Sequence, residues 1–159
     1  MSEPDFRHLP TWLLSAAAHR AHRLVHDRLA QAGAGGYEYR VLSALAAAGE
    51  ATQADIGRLA QLDRRDVTTT VRALADLGLV VRRRSADDAR ARIVSLTPAG
   101  RRRYAELRKV VADIQEELLK PLAPGHRDRL LGDLAALARR PAPNPRDPEG
   151  DQGGGRTRP

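Results

Sequence analysis

The spacing of apolar residues predicts two helices in the first third of the chain. The first runs from Trp12 to Gln31, after an entry in which Thr11 is a candidate N-cap. The second covers residues 37–48 and ends at Gly49, a residue that suits a helix C-terminus. Helical spacing predicts the inward face of this second helix to comprise Tyr37, Val41, Leu42, Leu45 and Ala46.

Two shorter helices are predicted next, joined by a tight turn at residues 61–62. Thr52 is the expected cap of the shorter one, and Asp63 is the expected cap of the other, which Gly78 ends. The inward face predicted for the shorter helix is Ile56, Leu59 and Ala60. The residues that the capped helix is predicted to bury are Val67, Val71, Leu74 and Leu77.

The period then changes from helical to extended. Residues 79–84 are rich in valine and arginine, residues 85–88 form a turn cluster, and residues 92–96 alternate as a strand does, so a β-hairpin is predicted. A long helix is expected to begin at Thr97-Pro98 and to run to about Lys120, where Pro121 and Pro124 break it. A last helix is predicted over 126–140. The tail, residues 141–159, has no large apolar residue to anchor it and is predicted to be disordered.

This order of elements predicts a mainly α fold with a small β-hairpin wing, that is, a winged helix-turn-helix inside a helical frame. The net charge of +7 comes almost wholly from arginine, whose planar fork matches phosphate oxygens and guanine edges. A G+C-rich coding sequence also favours arginine, so the charge alone makes an anionic partner only plausible.

Composition excludes several other classes of protein. There is no cysteine, hence no disulfide framework and no thiol-ligated metal. No apolar run reaches the length of a membrane span, and the first residues do not resemble a signal peptide, so a cytoplasmic location is expected. The chain has no nucleophile elbow, phosphate-binding glycine loop or HExxH pair, so we expect neither an enzyme nor a cofactor.

In a winged helix, the second helix of the helix-turn-helix lies in the major groove. The polar face of that helix displays Arg64, Arg65, Thr68, Thr69 and Arg72. Thr52 and Gln53, at the start of the preceding helix, are candidate phosphate contacts. Five arginines surround the predicted wing tip: Arg82, Arg83, Arg84, Arg90 and Arg92. Of these we expect Arg84, Arg90 and Arg92 to contact the strongly negative minor groove, with Asp88 orienting Arg90. The competing interpretation is a solvated charged face.

The segment "LADLGLVVRRRSADDARARIVSLTPAG" resembles the multiple-antibiotic-resistance regulator (MarR) family of winged-helix transcription factors. It contains the D-x-R pattern of the family's wing (Asp88 to Arg90) and the V-x-L-T-x-x-G strand-to-helix pattern (Val94 to Gly100). The helix order fits over about residues 9–140, after an extension at 1–8. The resemblance implies a homodimer that binds an inverted-repeat operator, typically as a repressor released by a small aromatic or phenolic ligand. A winged-helix module that binds proteins instead of DNA is the alternative.

The resemblance also divides the chain by role. It implies a DNA-binding lobe over about residues 37–96 and dimerisation helices over about residues 11–31 and 98–140. Apolar residues too numerous for one small lobe to cover are the predicted dimer interface: Leu13, Leu24, Val111, Ile114, Leu118, Leu130, Leu134 and Leu137. The family's ligand cleft lies between the frame and the lobe, and its candidate lining residues here are Trp12, Arg20, Tyr37, Tyr39 and Arg40. The alternative for these residues is ordinary packing in the core or the interface.

Two features fit the family pattern less simply. His19, His22 and His26 have the spacing of metal ligands on a helix, but no carboxylate cluster accompanies them, so packing or solvent exposure is expected instead. Asp66 on the groove-facing turn would repel phosphate. It could accept a hydrogen bond from cytosine, or pair with Arg65 and support the positive end of its helix, and we favour the second explanation.

Overall fold

The structure is a computed structural model that describes residues 5–84 and 92–139. The chain divides into two units, residues 1–119 and residues 120–159. The predicted wing tip, with Asp88 and Arg90, lies outside the described residues, and so does the predicted tail.

Within the described residues, six α-helices follow a short 3-10 helix at Phe6–His8, as the apolar spacing predicted. In the first unit they are α1 Pro10–Gln31, α2 Glu38–Ala48, α3 Gln53–Ala60, α4 Arg64–Asp76 and α5 Pro98–Leu119. The second unit contains α6, Pro124–Ala138.

Two predicted helix starts are wrong for the same reason. Proline is favoured at the first helical position because its missing N–H has no partner there in any case. Pro10 takes that position in α1, with Leu9 as an N-cap that makes no side-chain bond, so Thr11 is inside the helix and does not cap it. Pro124 likewise takes the first position of α6, so this helix begins two residues before the predicted start at residue 126.

In residues 5–84 and 92–139, three short strands form one antiparallel sheet in the order β1-β3-β2: β1 Glu50–Thr52, β2 Val80–Arg84 and β3 Arg92–Leu96. The hairpin of β2 and β3 is the predicted wing. Strand β1 was not predicted, because three residues are too few to show an alternating pattern. In the register of the sheet, Ala51 faces Val94 and Val80 faces Leu96. These four residues are buried, so they mark the face of the sheet that covers the core.

The core of the first unit lies among α2, α3, α4, α5 and this sheet. Its fully buried side chains include Val41, Leu42, Leu45, Ile56, Val67, Val71, Leu74, Val94 and Leu107. The winged helix-turn-helix predicted from the sequence is therefore confirmed.

Four residues predicted to face inward are exposed. Leu77 is 68% exposed because α4 ends at Asp76, which leaves Leu77 as its C-cap. Tyr37 is 41% exposed because it precedes α2 as the N-cap. Leu59 is 56% exposed, since Ile56 and Ala60 already form the buried stripe of this eight-residue helix. Ala46 is also exposed.

The junction between the sheet and α5 explains the V-x-L-T-x-x-G pattern. The Thr97 N–H donates to the Leu79 carbonyl at 3.0 Å, and the Thr97 hydroxyl donates to the Gly78 carbonyl at 2.8 Å. The same hydroxyl accepts from the Gly100 N–H at 3.0 Å. A Cβ atom at Gly100 would lie 2.0 Å from the Leu79 carbonyl oxygen, so only glycine fits at this position.

Candidate nucleic-acid interface

The helix-turn-helix is built from two capped helices. Thr52 and Asp55 form a capping box at the start of α3: the Thr52 hydroxyl accepts from the Asp55 N–H at 3.2 Å, and the Asp55 carboxylate accepts from the Thr52 N–H at 3.2 Å. Hydrogen bonds from Thr52 hold the pKa of Asp55 below its ordinary value of 3.8. Because the hydroxyl and the N–H of Thr52 both serve this box, its predicted contact with phosphate competes with the cap.

Helix α4 begins at the predicted cap. The Asp63 carboxylate accepts from the Asp66 N–H at 2.8 Å, and Asp66 adds an acidic group to the first turn, where it favours the positive end of the helix. The buried residues of α4 are Val67, Val71 and Leu74. The residues predicted for its opposite face are all exposed: Arg64, Arg65, Thr68, Thr69 and Arg72.

The two helices touch where their exposed faces meet. The Thr68 hydroxyl donates to the Arg64 carbonyl at 2.8 Å and lies 3.3 Å from the side-chain oxygen of Gln53, at the start of α3. Gln53 and α4 therefore present one continuous polar surface. The structure brings together the residues of α3 and α4 that the sequence proposed for this surface.

A basic groove of about 840 Å³ lies between the wing and this surface. Its lining residues are Thr52, Gln53, Ala54, Gly57, Arg58, Leu62, Arg64, Arg82 and Arg92. Four of the nine are arginines and none is acidic, so the groove attracts anions. Arg58 was not predicted, because its i,i+3 pairing with Asp55 gives it the pattern of an ordinary surface residue.

The alternation of β2 separates its three consecutive arginines. Arg82 lies opposite Val94, on the same face as the core residues, and so reaches the basic groove. Arg83 points from the other face and forms an ion pair with Glu50 of β1 across the intervening strand. Arg84 lies opposite Arg92, and both are exposed at the end of the hairpin. The three arginines of β2 therefore make different contacts.

Comparison with known proteins identifies this arrangement. The sequence model of the MarR family matches residues 34–91, which contain the helix-turn-helix and the first strand of the wing. The structure of the transcriptional repressor CouR bound to a 23-mer DNA duplex superposes with a TM-score of 0.76 at 30% identity, over 87% of this chain and 100% of that chain. The chain belongs to the MarR family. Family membership places it among the winged-helix transcriptional regulators.

Two other relatives extend the comparison. The PcaV transcriptional regulator from Streptomyces coelicolor, in complex with its natural ligand, superposes with a TM-score of 0.73 at 26% identity, over 87% of this chain and 97% of that one. The uncharacterized HTH-type transcriptional regulator YdgJ of Bacillus subtilis (strain 168) is 33% identical over 99 residues. That match covers 62% of this MarR-family chain and 60% of YdgJ.

A second, smaller cavity of about 330 Å³ contains two of the five predicted ligand-binding residues. Tyr39, Arg40, Ser43, Ala44, Ala47, Leu59, Ala60 and Gln61 line it. Trp12 and Arg20 are not among the lining residues. Trp12 instead meets Phe6 edge to face, with 5.8 Å between ring centroids. Tyr39 stacks on Tyr104 of α5 at 5.9 Å, and burial raises the pKa of Tyr39 above its ordinary value of 10.0.

The junction of α2 and α5 contains a buried ion pair that was not predicted. Glu38 is only 8% exposed, and one of its carboxylate oxygens accepts from Arg103 Nε at 2.8 Å. Its other oxygen accepts from the Gly35 N–H at 3.2 Å, while Arg103 Nη2 donates to the Ala32 carbonyl at 3.0 Å. The pair therefore ties the α1–α2 loop and the first turn of α2 to α5.

The residues predicted for the dimer interface differ in their exposure to solvent within a single chain. Leu13 is 50% exposed, Leu134 is 39% exposed and Leu137 is 68% exposed. The half-buried members are Leu24, Val111, Leu118 and Leu130. Ile114 is 1% exposed within a single chain, so it packs inside that chain and leaves almost no surface for a partner. Helical spacing does not distinguish a core position from an interface position on the same apolar stripe.

The three histidines of α1 do not form part of a metal site in the described residues. His19, His22 and His26 are exposed, and within residues 5–84 and 92–139 no three His, Cys, Asp or Glu side chains are grouped so as to hold a metal. In the same part of the chain, no helix combines the length and apolar character needed to span a bilayer.

Proposed function

We propose that this protein is a homodimeric, DNA-binding transcriptional regulator whose α4 lies in the major groove and whose wing arginines contact the adjacent backbone and minor groove. The observation that carries the proposal is the continuous exposed surface formed by Arg64, Thr68 and Arg72 of α4 and the basic groove beside them. The repressor CouR, 30% identical over its whole chain, is itself bound to a DNA duplex.

The geometry of α4 suits base recognition. An α-helix with its side chains is about 10–12 Å across, and the major groove is about 12 Å wide, so α4 can enter the groove. Arg64 and Arg65 stand in the first turn, where side chains of a recognition helix reach base edges. Arginine pairs with two acceptors of guanine, and threonine contacts phosphate or the thymine methyl group. A protein-binding module would not need this basic face on both the helix and the wing.

Dimerisation is proposed from the apolar surface at the two ends of the described chain. Leu9, Trp12 and Leu13 of the first unit are 40–50% exposed, and Leu131 and Leu137 of α6 are 54% and 68% exposed. Soluble monomers seldom leave so many large apolar side chains accessible. Pairing about a two-fold axis would cover them and would set two copies of α4 about 34–36 Å apart, so the operator would be an inverted repeat with half-site centres about 10 bp apart.

Control by a small ligand is the finer part of the proposal. The cavity beside Tyr39 and Arg40 offers a phenol, a guanidinium and apolar walls, which suit an aromatic carboxylate. Trp12, Arg20 and Tyr37 stay candidates for a second wall formed when two chains pair. The related regulator PcaV in complex with its natural ligand supports this part, and the repressor CouR supports a repressing role. Release of the DNA by the ligand is part of the proposal.

A gel-shift titration tests the proposal, with the duplex that lies upstream of the coding sequence and a scrambled duplex of equal length. We expect tighter binding to the upstream duplex, and loss of that preference in Arg64→Ala and Arg72→Ala. Arg102→Ala, which removes an exposed arginine from α5, is the matched control and should bind as the wild type does. Equal binding to both duplexes, together with capture of a protein partner through α4, would favour the protein-interaction module.

A further inference from the structure

Arg40 makes a contact that its expected role in ligand binding does not require. Its Nη2 atom donates to the carbonyl of Gln61 at 2.7 Å and also to the carbonyl of Ala60. Its guanidinium lies over the Tyr37 ring, 5.8 Å from the centroid, which restricts its orientation. One side chain of α2 is therefore attached to the last residue of α3 and to the residue after it.

These carbonyls belong to the turn of the helix-turn-helix. The last four carbonyls of a helix have no partner within the helix and need one elsewhere. At the end of α3, the Gly57 carbonyl accepts from the Leu62 N–H at 2.9 Å, and the Arg58 carbonyl accepts from the Gln61 N–H at 3.4 Å. Further along the chain, the carbonyls of Ala60 and Gln61 both accept a hydrogen bond from Arg40. The end of α3 is thus fixed partly by α2.

The turn needs stabilising contacts because one of its residues has an unfavourable backbone conformation. Gln61 has φ of 51°, and in the part of the chain that the structure describes it is the one residue other than glycine with positive φ. A side chain makes this left-handed conformation unfavourable, so it persists only where surrounding contacts hold it. Two residues later Asp63 caps α4, and the direction in which α4 leaves the turn depends on the conformation of Gln61.

We propose that Arg40 is a positioning residue for the recognition helix: by holding the carbonyls of residues 60 and 61, it sets the angle at which α4 leaves the turn and enters DNA. The inference rests on the proposed DNA-binding function. It assigns no DNA contact to Arg40, which lies on α2 and is half-buried. Arg40 therefore contributes to the discrimination between sequences, and the attraction to phosphate comes from the arginines of α4 and the wing.

The test compares Arg40→Met, which keeps an unbranched stem but has no donor, with Arg40→Lys, which keeps a charged donor without the planar fork. Arg102→Met is the matched control. For each full-length variant we would measure affinity for the operator, affinity for a scrambled duplex, the slope of affinity against salt, and the unfolding temperature. The ratio of operator to scrambled affinity is the readout, because a variant that merely unfolds in part loses both affinities together.

Loss of a hydrogen bond from a charged donor predicts that Arg40→Met lowers this ratio by about 10- to 100-fold. Its affinity for scrambled DNA and its salt slope should match the wild type, Arg40→Lys should lie between the two, and Arg102→Met should not change the ratio. A wild-type ratio in Arg40→Met, or a reduced salt slope, would overturn the inference. If Arg40→Met does not fold, a wild-type ratio in Arg40→Lys overturns it and an intermediate ratio supports it. If the wild type itself does not prefer the operator, the proposed function fails and the inference fails with it.

Discussion

Replacing Gly100 by alanine should destabilise the whole first unit. The new Cβ would lie 2.0 Å from the Leu79 carbonyl oxygen, and Cβ atoms essentially never approach another atom closer than 3.0 Å, so the backbone must shift by at least 1.0 Å. The same carbonyl accepts from the Thr97 N–H at 3.0 Å and from the Thr97 hydroxyl at 3.1 Å. Two weakened hydrogen bonds cost about 1 kcal/mol each, and overpacking costs about 1–3 kcal/mol more.

The free energy of unfolding should therefore fall by about 3–5 kcal/mol, which lowers Tm by about 6–20 °C in a protein of this size. Urea and thermal unfolding of the full chain measure the change. Gly125→Ala in α6 is the matched control, because no atom lies within 4 Å of a Cβ at that position. It should be neutral or slightly stabilising, since alanine is the better helix former. If Gly100→Ala unfolds within about 0.5 kcal/mol of the wild type, the close packing of α5 against Leu79 is refuted.

Three further predictions concern DNA specificity, assembly and pH. Arg72→Ala should cost about 1–3 kcal/mol of binding and relax preference at one base position, whereas Arg92→Ala should weaken binding to every sequence alike; titration of single-base operator variants separates these outcomes. Leu134→Asp should separate or unfold the dimer and abolish operator binding, and sedimentation of a folded monomer that binds the full operator with wild-type affinity would contradict this. Because folding lowers the pKa of Asp55, its cap stabilises the fold at pH values above 3.8, the ordinary pKa of the carboxyl group. This stabilisation is lost as the pH falls through the lower pKa of the folded state. Thr52→Ala should therefore remove part of the acid dependence in urea unfolding between about pH 2 and 5, and an unchanged dependence would argue against the cap.

Local patterns in the sequence were sufficient for most of the fold. The caps at Thr52 and Asp63 and the helix end at Gly49 were predicted because each depends on neighbours within three or four residues. The burial of Leu59 and Leu77 was predicted wrongly, because periodicity gives the direction of a side chain but not how far the core extends along a short helix. Strand β1 exists through pairing with β3, which is more than forty residues away in the sequence, as Ala51 and Val94 show.

The candidate site contains the features that the sequence could not supply. Glu38 and Arg103 are 65 residues apart, Arg83 and Glu50 are 33 apart, and the contact between Arg40 and Ala60 spans 20 residues. Each partner by itself resembles an ordinary surface charge. Nothing near Arg83 or Arg40 in the sequence shows that the first pairs with Glu50 and that the second donates to the carbonyls of Ala60 and Gln61.

The salt dependence of operator affinity tests the central proposal most directly. Two copies of α4 and two wings would place arginines such as Arg64, Arg82 and Arg92 against phosphates, and each contact releases a counterion. If about six to ten phosphates are neutralised, affinity should fall by about 10³- to 10⁵-fold between roughly 50 and 200 mM salt. A binding constant that stays flat over this range while the complex persists would contradict a regulator that holds DNA through this basic surface.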